Sequence, residues 1–198
     1  MRPNLILMAA FLGLAACTAE PTWAPDEAVA ARIYHHDAPP SITLYTVINN
    51  RSNEGAHSSL LINGSQRLIF DPAGTWYHPS LPERNDVHFG MVDSAVIFYE
   101  DYHARVTFRV IAQKVEVSPE VAEEALRLVQ ANGAVSKTQC ANTVSRILRD
   151  LGGFDEVPRT MWPLSVMEGF GKIPGVESRT IYDDSTDDNK GLLRQTEI

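Results

Sequence analysis

The chain has 198 residues, 44% of them apolar and 21% charged, with 12 Gly and 12 Pro; this balance excludes collagenous, coiled-coil and wholly disordered classes and fits one compact domain. Lys and Arg number 17 against 25 Asp and Glu, for a formal charge of −8; without a clustered positive run, no nucleic-acid partner is expected. The two cysteines, Cys17 and Cys140, are too few for a disulfide framework or a Cys-based zinc site.

Arg2 and the apolar run Leu5–Leu14 have the form of a secretory leader, too short for a bilayer-spanning helix, which takes about 20 residues. The run ends in Leu14-Ala15-Ala16-Cys17, which resembles the lipobox of bacterial lipoproteins. That resemblance implies a signal peptide at 1–16 and lipidation of the Cys17 sulfur by diacylglyceryl and palmitate-type chains, a stable multi-chain membrane anchor. Thr18 after the cysteine implies a place in the outer membrane, facing the periplasm. The alternative is an ordinary signal peptide cut after an Ala-x-Ala-like site, with Cys17 incidental. Residues 17–40, with Pro21, Pro25, Pro39 and Pro40, read as a lipid-anchored tether carrying a short helix over Asp26–Ile33.

The globular part is expected over 41–182. Ile42–Ile48 is rich in β-branched residues and reads as a strand; His57–Ile62 and Arg67–Asp71 flank Asn63-Gly64, a strong hairpin signal. Ala95–Tyr99 and Arg105–Ile111 read as two further strands around a turn at Glu100–His103, so at least five strands are expected. Ser118-Pro119-Glu120 then opens a helix that Asn132-Gly133 stops. A Ser136-x-x-Gln139 capping box opens a second helix, with Ala141, Val144, Leu148 and Leu151 on one face and Gly152-Gly153 at its end. After Phe154 the chain reads as loop, and 183–198 as an acidic polar tail.

Cys140 falls in the first turn of that second helix, where unpaired N–H groups and the macrodipole bias a thiol toward the reactive thiolate. Catalysis also needs a base and a group that orients it. His57 opens one hairpin strand and Asp71 ends the next, an arrangement able to supply both.

The order His57-x-x-Leu-Leu-Ile-Asn-Gly, then a strand ending in a polar residue, then Gln139-Cys140-Ala141-Asn142-Thr143-Val144-Ser145-Arg146-Ile147-Leu148 and Leu151-Gly152, resembles the circularly permuted NlpC-like branch of the papain-like fold, which includes relatives of lecithin:retinol acyltransferase. The resemblance spans roughly Ser41 to Phe154. It implies an α+β domain, an antiparallel sheet or small barrel packed on a Cys-bearing helix. It also implies Cys140 as nucleophile, His57 as general base and Asp71 as orienting group. The family pattern puts that third group at Ile69, so Asp71 requires a hairpin turn two residues longer. An oxyanion would be held by the Cys140 backbone N–H and one further donor; Tyr45, Gln139 and His88 are candidate contributors. Substrates of the family are amide bonds of peptidoglycan stem peptides or lipid ester and thioester bonds, and the residues do not choose between them.

Blander readings stand beside these. Cys140 also lines up with Val144, Ile147 and Leu151 as a core position, His57 can be a strand-edge histidine, and Asp71-Pro72-Ala73-Gly74 can be a plain turn. His35-His36-Asp37 lacks a partner set at ligand spacing and the acidic tail lacks the Gly and final Glu of an EF-hand loop, so no metal and no cofactor are expected. The aromatic segments Trp76–Pro79 and Met161–Leu164 read as covers of core edges or walls of a groove. Three functions remain: a cysteine-dependent hydrolase or acyltransferase tethered in the envelope, a non-catalytic lipoprotein keeping the fold as a binding or structural module, and a redox-sensing thiol, for which no resolving cysteine is at hand.

Overall fold

The β-branched run forms β1 (Ser41–Asn49), buried from Ser41 to Ile48 because it is an inner strand of the sheet and both its faces are covered. The computed structural model describes residues 19–189, 191 and 192; the expected leader and Cys17 lie outside them. The sheet runs β4 (Glu83–Arg84), β5 (Val87–Phe89), β3 (Arg67–Phe70), β2 (Gly55–Asn63), β1, β6 (Phe108–Glu116) and β7 (Glu177–Ile181). Every pair is antiparallel, giving an open α+β sheet.

Side chains alternate across a strand, and each face has its own core. Ile42, Leu44, Leu60 and Ile62 pack against α3 (Pro119–Ala131), α4 (Cys140–Asp150) and α5 (Pro163–Phe170). Tyr45, Val47, Ile69 and Ala112 pack against α2 (Asp93–His103). Among the described residues no helix is long and apolar enough to cross a membrane.

Several expectations are corrected. Ala95–Tyr99 is not a strand but the body of α2, and Glu100–His103 is its last turn rather than a hairpin. Ala95, Phe98, Tyr99 and Tyr102 are buried at helical spacing, so the amphipathic stripe overrides the β propensity of Val96-Ile97-Phe98. The following strand begins at Phe108, after a turn in which Arg105 and Phe108 exchange backbone hydrogen bonds. The stretch after Phe154 contains α5 and β7. The expected Ser136 capping box does not form: the Gln139 N–H donates to the Ser136 carbonyl in a turn, and α4 starts at Cys140 with no side-chain cap.

The segment before β1 lies along the sheet's β4 side. Ala24 N–H donates to Glu83 O, Asn85 N–H to Thr22 O and Arg67 N–H to Tyr34 O, with α1 (Asp26–Ala30) between. At the other terminus Val106 N–H donates to Ser185 O, Thr107 Oγ1 donates to Asp187 at 2.6 Å and Asn189 Nδ2 to Tyr102 O at 3.0 Å.

Candidate active site

β3 pairs with β2 only from Leu60 to Asn63, which leaves the first half of β2 without a neighbour on that side. Its register, continued by one residue, sets Asp71 opposite Ser59 and therefore diagonal to His57 on the same face, a separation that long side chains span. His57 Nε2 lies 2.7 Å from Asp71 Oδ1, with the carboxylate buried and the imidazole 15% exposed. Asp71 is thus the partner of His57, and Ile69 is a fully buried core residue facing α2.

With Nε2 engaged, Nδ1 is the free ring nitrogen, and the Cys140 thiol lies close enough to His57 for each to shift the other's proton affinity. The backbone N–H groups of Ser58, on the open edge of β2, and of Ala141, in the first turn of α4, also favour the thiol's ionised form. Thr138, two residues before Cys140, is held at φ 72. A β-branched residue in the left-handed region costs on the order of 1–3 kcal/mol, strain of the kind that collects where a side chain must be presented at a fixed angle.

The electrostatics follow from these contacts. Burial disfavours a charged imidazole at His57, but the Asp71 carboxylate and the Cys140 sulfur overcome it and push the pKa up to about 10. Burial alone would raise Asp71; the adjacent His57 charge and hydrogen bond instead hold it well below the usual carboxylate range. Burial raises the Cys140 thiol as well, yet hydrogen bonding and charge from His57, helped by the two backbone N–H groups, bring it below its ordinary value. Both shifts act in the direction of a thiolate–imidazolium pair backed by a carboxylate, the electronic arrangement of an activated nucleophile.

Two residues missed in the sequence complete the cluster, both on α2. Tyr99 donates its hydroxyl proton to Asp71 Oδ1 at 2.6 Å and sits 2.7 Å from Ser59 Oγ. His103 lies parallel to His57, ring centroids 5.9 Å apart, and its Nδ1 meets the Tyr99 carbonyl at 2.8 Å. Burial holds the His103 pKa down to about 4, so it is neutral at physiological pH. The helical spacing Ala95-Phe98-Tyr99-Tyr102 was the signal that would have placed both.

Among the described residues His57, Asp71 and His103 also form the one group whose ligand atoms lie close enough, within 4.8 Å of one another, to consider for a metal. The His57–Asp71 separation is a proton-sharing distance, whereas two ligands on a tetrahedral zinc at 2.0–2.2 Å stand roughly 3.3 Å apart. An ion there would have to break that bond, so the geometry favours acid–base work.

The three candidate oxyanion contributors lie apart from one another. Tyr45 faces α2 and donates to Glu100 Oε1 at 2.7 Å. Gln139 adjoins Cys140, but its Oε1 accepts from Asn142 Nδ2 at 3.0 Å. His88 is buried against the Trp76 ring beyond Asp71, and burial pushes its pKa down to about 4.

A groove of about 700 Å³ opens beside His57, lined among others by Gly74, Tyr77, Tyr102, His103 and Arg105. Asp187 and Asn189 of the acidic tail form part of its wall. Cys140 is 8% exposed and does not belong to that wall. Compared with known proteins, the chain matches no family model, no curated protein and no solved structure.

Proposed function

We propose that this chain is a cysteine-dependent hydrolase or acyltransferase of a permuted papain-like kind, tethered in the bacterial envelope through lipidated Cys17. The observation that carries the reading is His57, joined at 2.7 Å to a buried carboxylate and near enough to Cys140 for the two to shift each other's proton affinity. The His strand precedes the Cys helix, as the permuted order requires. The Cys140 thiolate attacks a carbonyl carbon, forming a C–S bond, and the oxyanion meets the unpaired N–H groups at the start of α4. The His57 proton passes to the departing amine or alkoxide as the C–N or C–O bond breaks. His57, now neutral, takes a proton from water or an acceptor hydroxyl, whose oxygen displaces the thiolate from the thioester.

The enclosure of Cys140, 8% exposed and packed with Val144 and Ile147, favours a second reading, an envelope lipoprotein that keeps the fold as a binding or structural module. Alkylation of Cys140 by iodoacetamide across pH, in wild type and in His57→Ala, separates the two. A thiolate plateau well below the reference thiol pKa of about 8.5, lost in the variant, is the expected result. Sluggish labelling with an unshifted profile indifferent to His57 sinks the enzyme and leaves the module.

A further inference from the structure

α2 does not cover the whole of its sheet face. Beside its first turn, where Val96 forms one wall, a cavity of about 290 Å³ stands over Ser41 and Thr43 of β1, Asn63 of β2 and Lys114 of β6. The register gathers them: Ser41 lies opposite Asn63 and Thr43 opposite Lys114. Alternation along each strand then puts all four on the face of Tyr45, Leu61 and Ala112, which border the cavity too. Asn63 and His57 stand at opposite ends of β2, about 20 Å apart at 3.3 Å per residue, and the cavity shares no lining residue with the His57 groove.

The floor of this cavity is polar where a sheet face under a helix is ordinarily apolar. Ser41 and Thr43 are 5% and 8% exposed, and among the described residues neither hydroxyl has a hydrogen-bond partner. Asn63, 5% exposed, donates its Nδ2 protons to the Ala38 and Pro39 carbonyls at 2.9 and 3.1 Å, and its Oδ1 is buried without a donor. Buried polar atoms in native structures are nearly always paired, so an amide oxygen and two hydroxyls left open around one cavity call for a ligand that carries hydroxyls.

The walls are cationic. The Arg67 guanidinium is fixed by the Met91 carbonyl and by Asp93 at 2.7 Å, and Arg179 by Glu100. Neither carboxylate belongs to the cavity lining; His36, which does, reaches Asp93 at 3.4 Å. Lys114 has no ion-pair partner among the described residues, although Glu177 stands directly across from it on β7. The lining thus sets Arg67, Lys114 and Arg179 against one acid, Glu177. Guanidinium forks held in place in advance, with an ammonium between them, match the geometry of a phosphate.

We propose that this cavity binds a small phosphorylated sugar or polyol, its phosphate among Lys114, Arg67 and Arg179 and its hydroxyls on Ser41, Thr43 and Asn63. Small-molecule pockets run from about 300 to 1,000 Å³, so one of about 290 Å³ takes a ligand of monosaccharide size and not a polymer. The inference depends neither on the Cys140 nucleophile nor on the Cys17 anchor.

Calorimetric titration of the full-length chain with glucose 6-phosphate and with glycerol 3-phosphate tests it. Saturable binding of at least one ester is expected, with glucose and glycerol undetected and inorganic phosphate at least tenfold weaker. Lys114→Gln, which breaks no ion pair, should weaken the ester at least tenfold and leave the thermal midpoint of the free protein unchanged. Thr43→Val should weaken the ester several-fold and leave inorganic phosphate as it was. Cys140→Ala should bind like wild type. No binding of either ester overturns the proposal, as does binding that Lys114→Gln and Thr43→Val both leave intact. Loss of binding in Cys140→Ala would move the ligand to the His57 groove and overturn it as well. Inorganic phosphate binding as tightly as the esters reduces the cavity to a plain anion site and overturns the sugar.

Discussion

The Asp71 carboxylate lies against the bare Cα of Gly74, where a Cβ would overlap its Oδ2 and Cγ. The Gly74 N–H closes the turn on the Asp71 carbonyl at 2.9 Å, with Ala73 at φ 57 between them. Gly74→Ala must therefore turn the carboxylate away from His57 while leaving both cores untouched. Cys140 alkylation at pH 6 is expected to slow several-fold with an unchanged far-UV spectrum; a wild-type rate would show that the carboxylate's orientation does not matter.

Asp71→Asn removes the largest of the contributions that together offset burial at His57. The imidazolium loses its main support, and the thiol pKa rises with it. Each unit of that rise cuts the thiolate fraction at neutral pH about tenfold. The alkylation midpoint should move alkaline by at least one unit, and stopped-flow labelling across pH reads it directly.

Tyr99→Phe deletes a hydroxyl that donates to Asp71 Oδ1 at 2.6 Å inside the α2 core. Leaving a buried carboxylate short of a donor costs about 1–3 kcal/mol. Urea unfolding should register that loss, and the alkylation midpoint should move alkaline as well. A purely structural tyrosine would lower stability and leave the midpoint where it was.

The His57–Cys140 pair sets a pH window for stability. His57 has a raised folded pKa, so its contribution is fully present below the unfolded value of 6.5 and is lost as pH rises toward about 10. Cys140 has a lowered one, so its contribution is fully present above 9.0 and is lost as pH falls through the folded value. Wherever the folded thiol is ionised between 6.5 and 9.0, the proton it gives up on folding offsets the one His57 takes up, and the two pH dependences cancel. Above 9.0 stability falls by about 1.4 kcal/mol per pH unit. In Cys140→Ala only His57 titrates, and the alkaline fall should begin near pH 6.5 instead. Thermal midpoints measured from pH 5 to 10 check it; the same break in both proteins would dismiss the ion pair.

The parts legible in the sequence were those fixed by neighbours along the chain. The β-branched run at 42–48, the Asn63-Gly64 turn and the Ser118-Pro119 start of α3 appear where local chemistry puts them. The Ser118 Oγ accepts from Val121 N–H as expected. Where two local signals competed the reading failed. Ala95–Tyr99 carries both β propensity and a helical stripe, and packing Phe98, Tyr99 and Tyr102 against the sheet decided for the helix. The Ser136 box is a valid cap motif, yet the turn before α4 takes another path and the helix starts without a side-chain cap.

The sequence by itself determined the residue types of the candidate site: a thiol at a helix start, a histidine on one hairpin strand and an acid at the end of the next. Whether they meet was decided by tertiary structure, because β3 stops at Phe70 and leaves the Ser58 edge of β2 open for the Cys140 sulfur. The enclosure of that thiol, the Tyr99 and His103 support from α2 and the course of the segment before β1 along the β4 side of the sheet were likewise invisible beforehand. Each joins residues far apart in the chain through a sheet edge or a helix face, and no local propensity encodes such a contact.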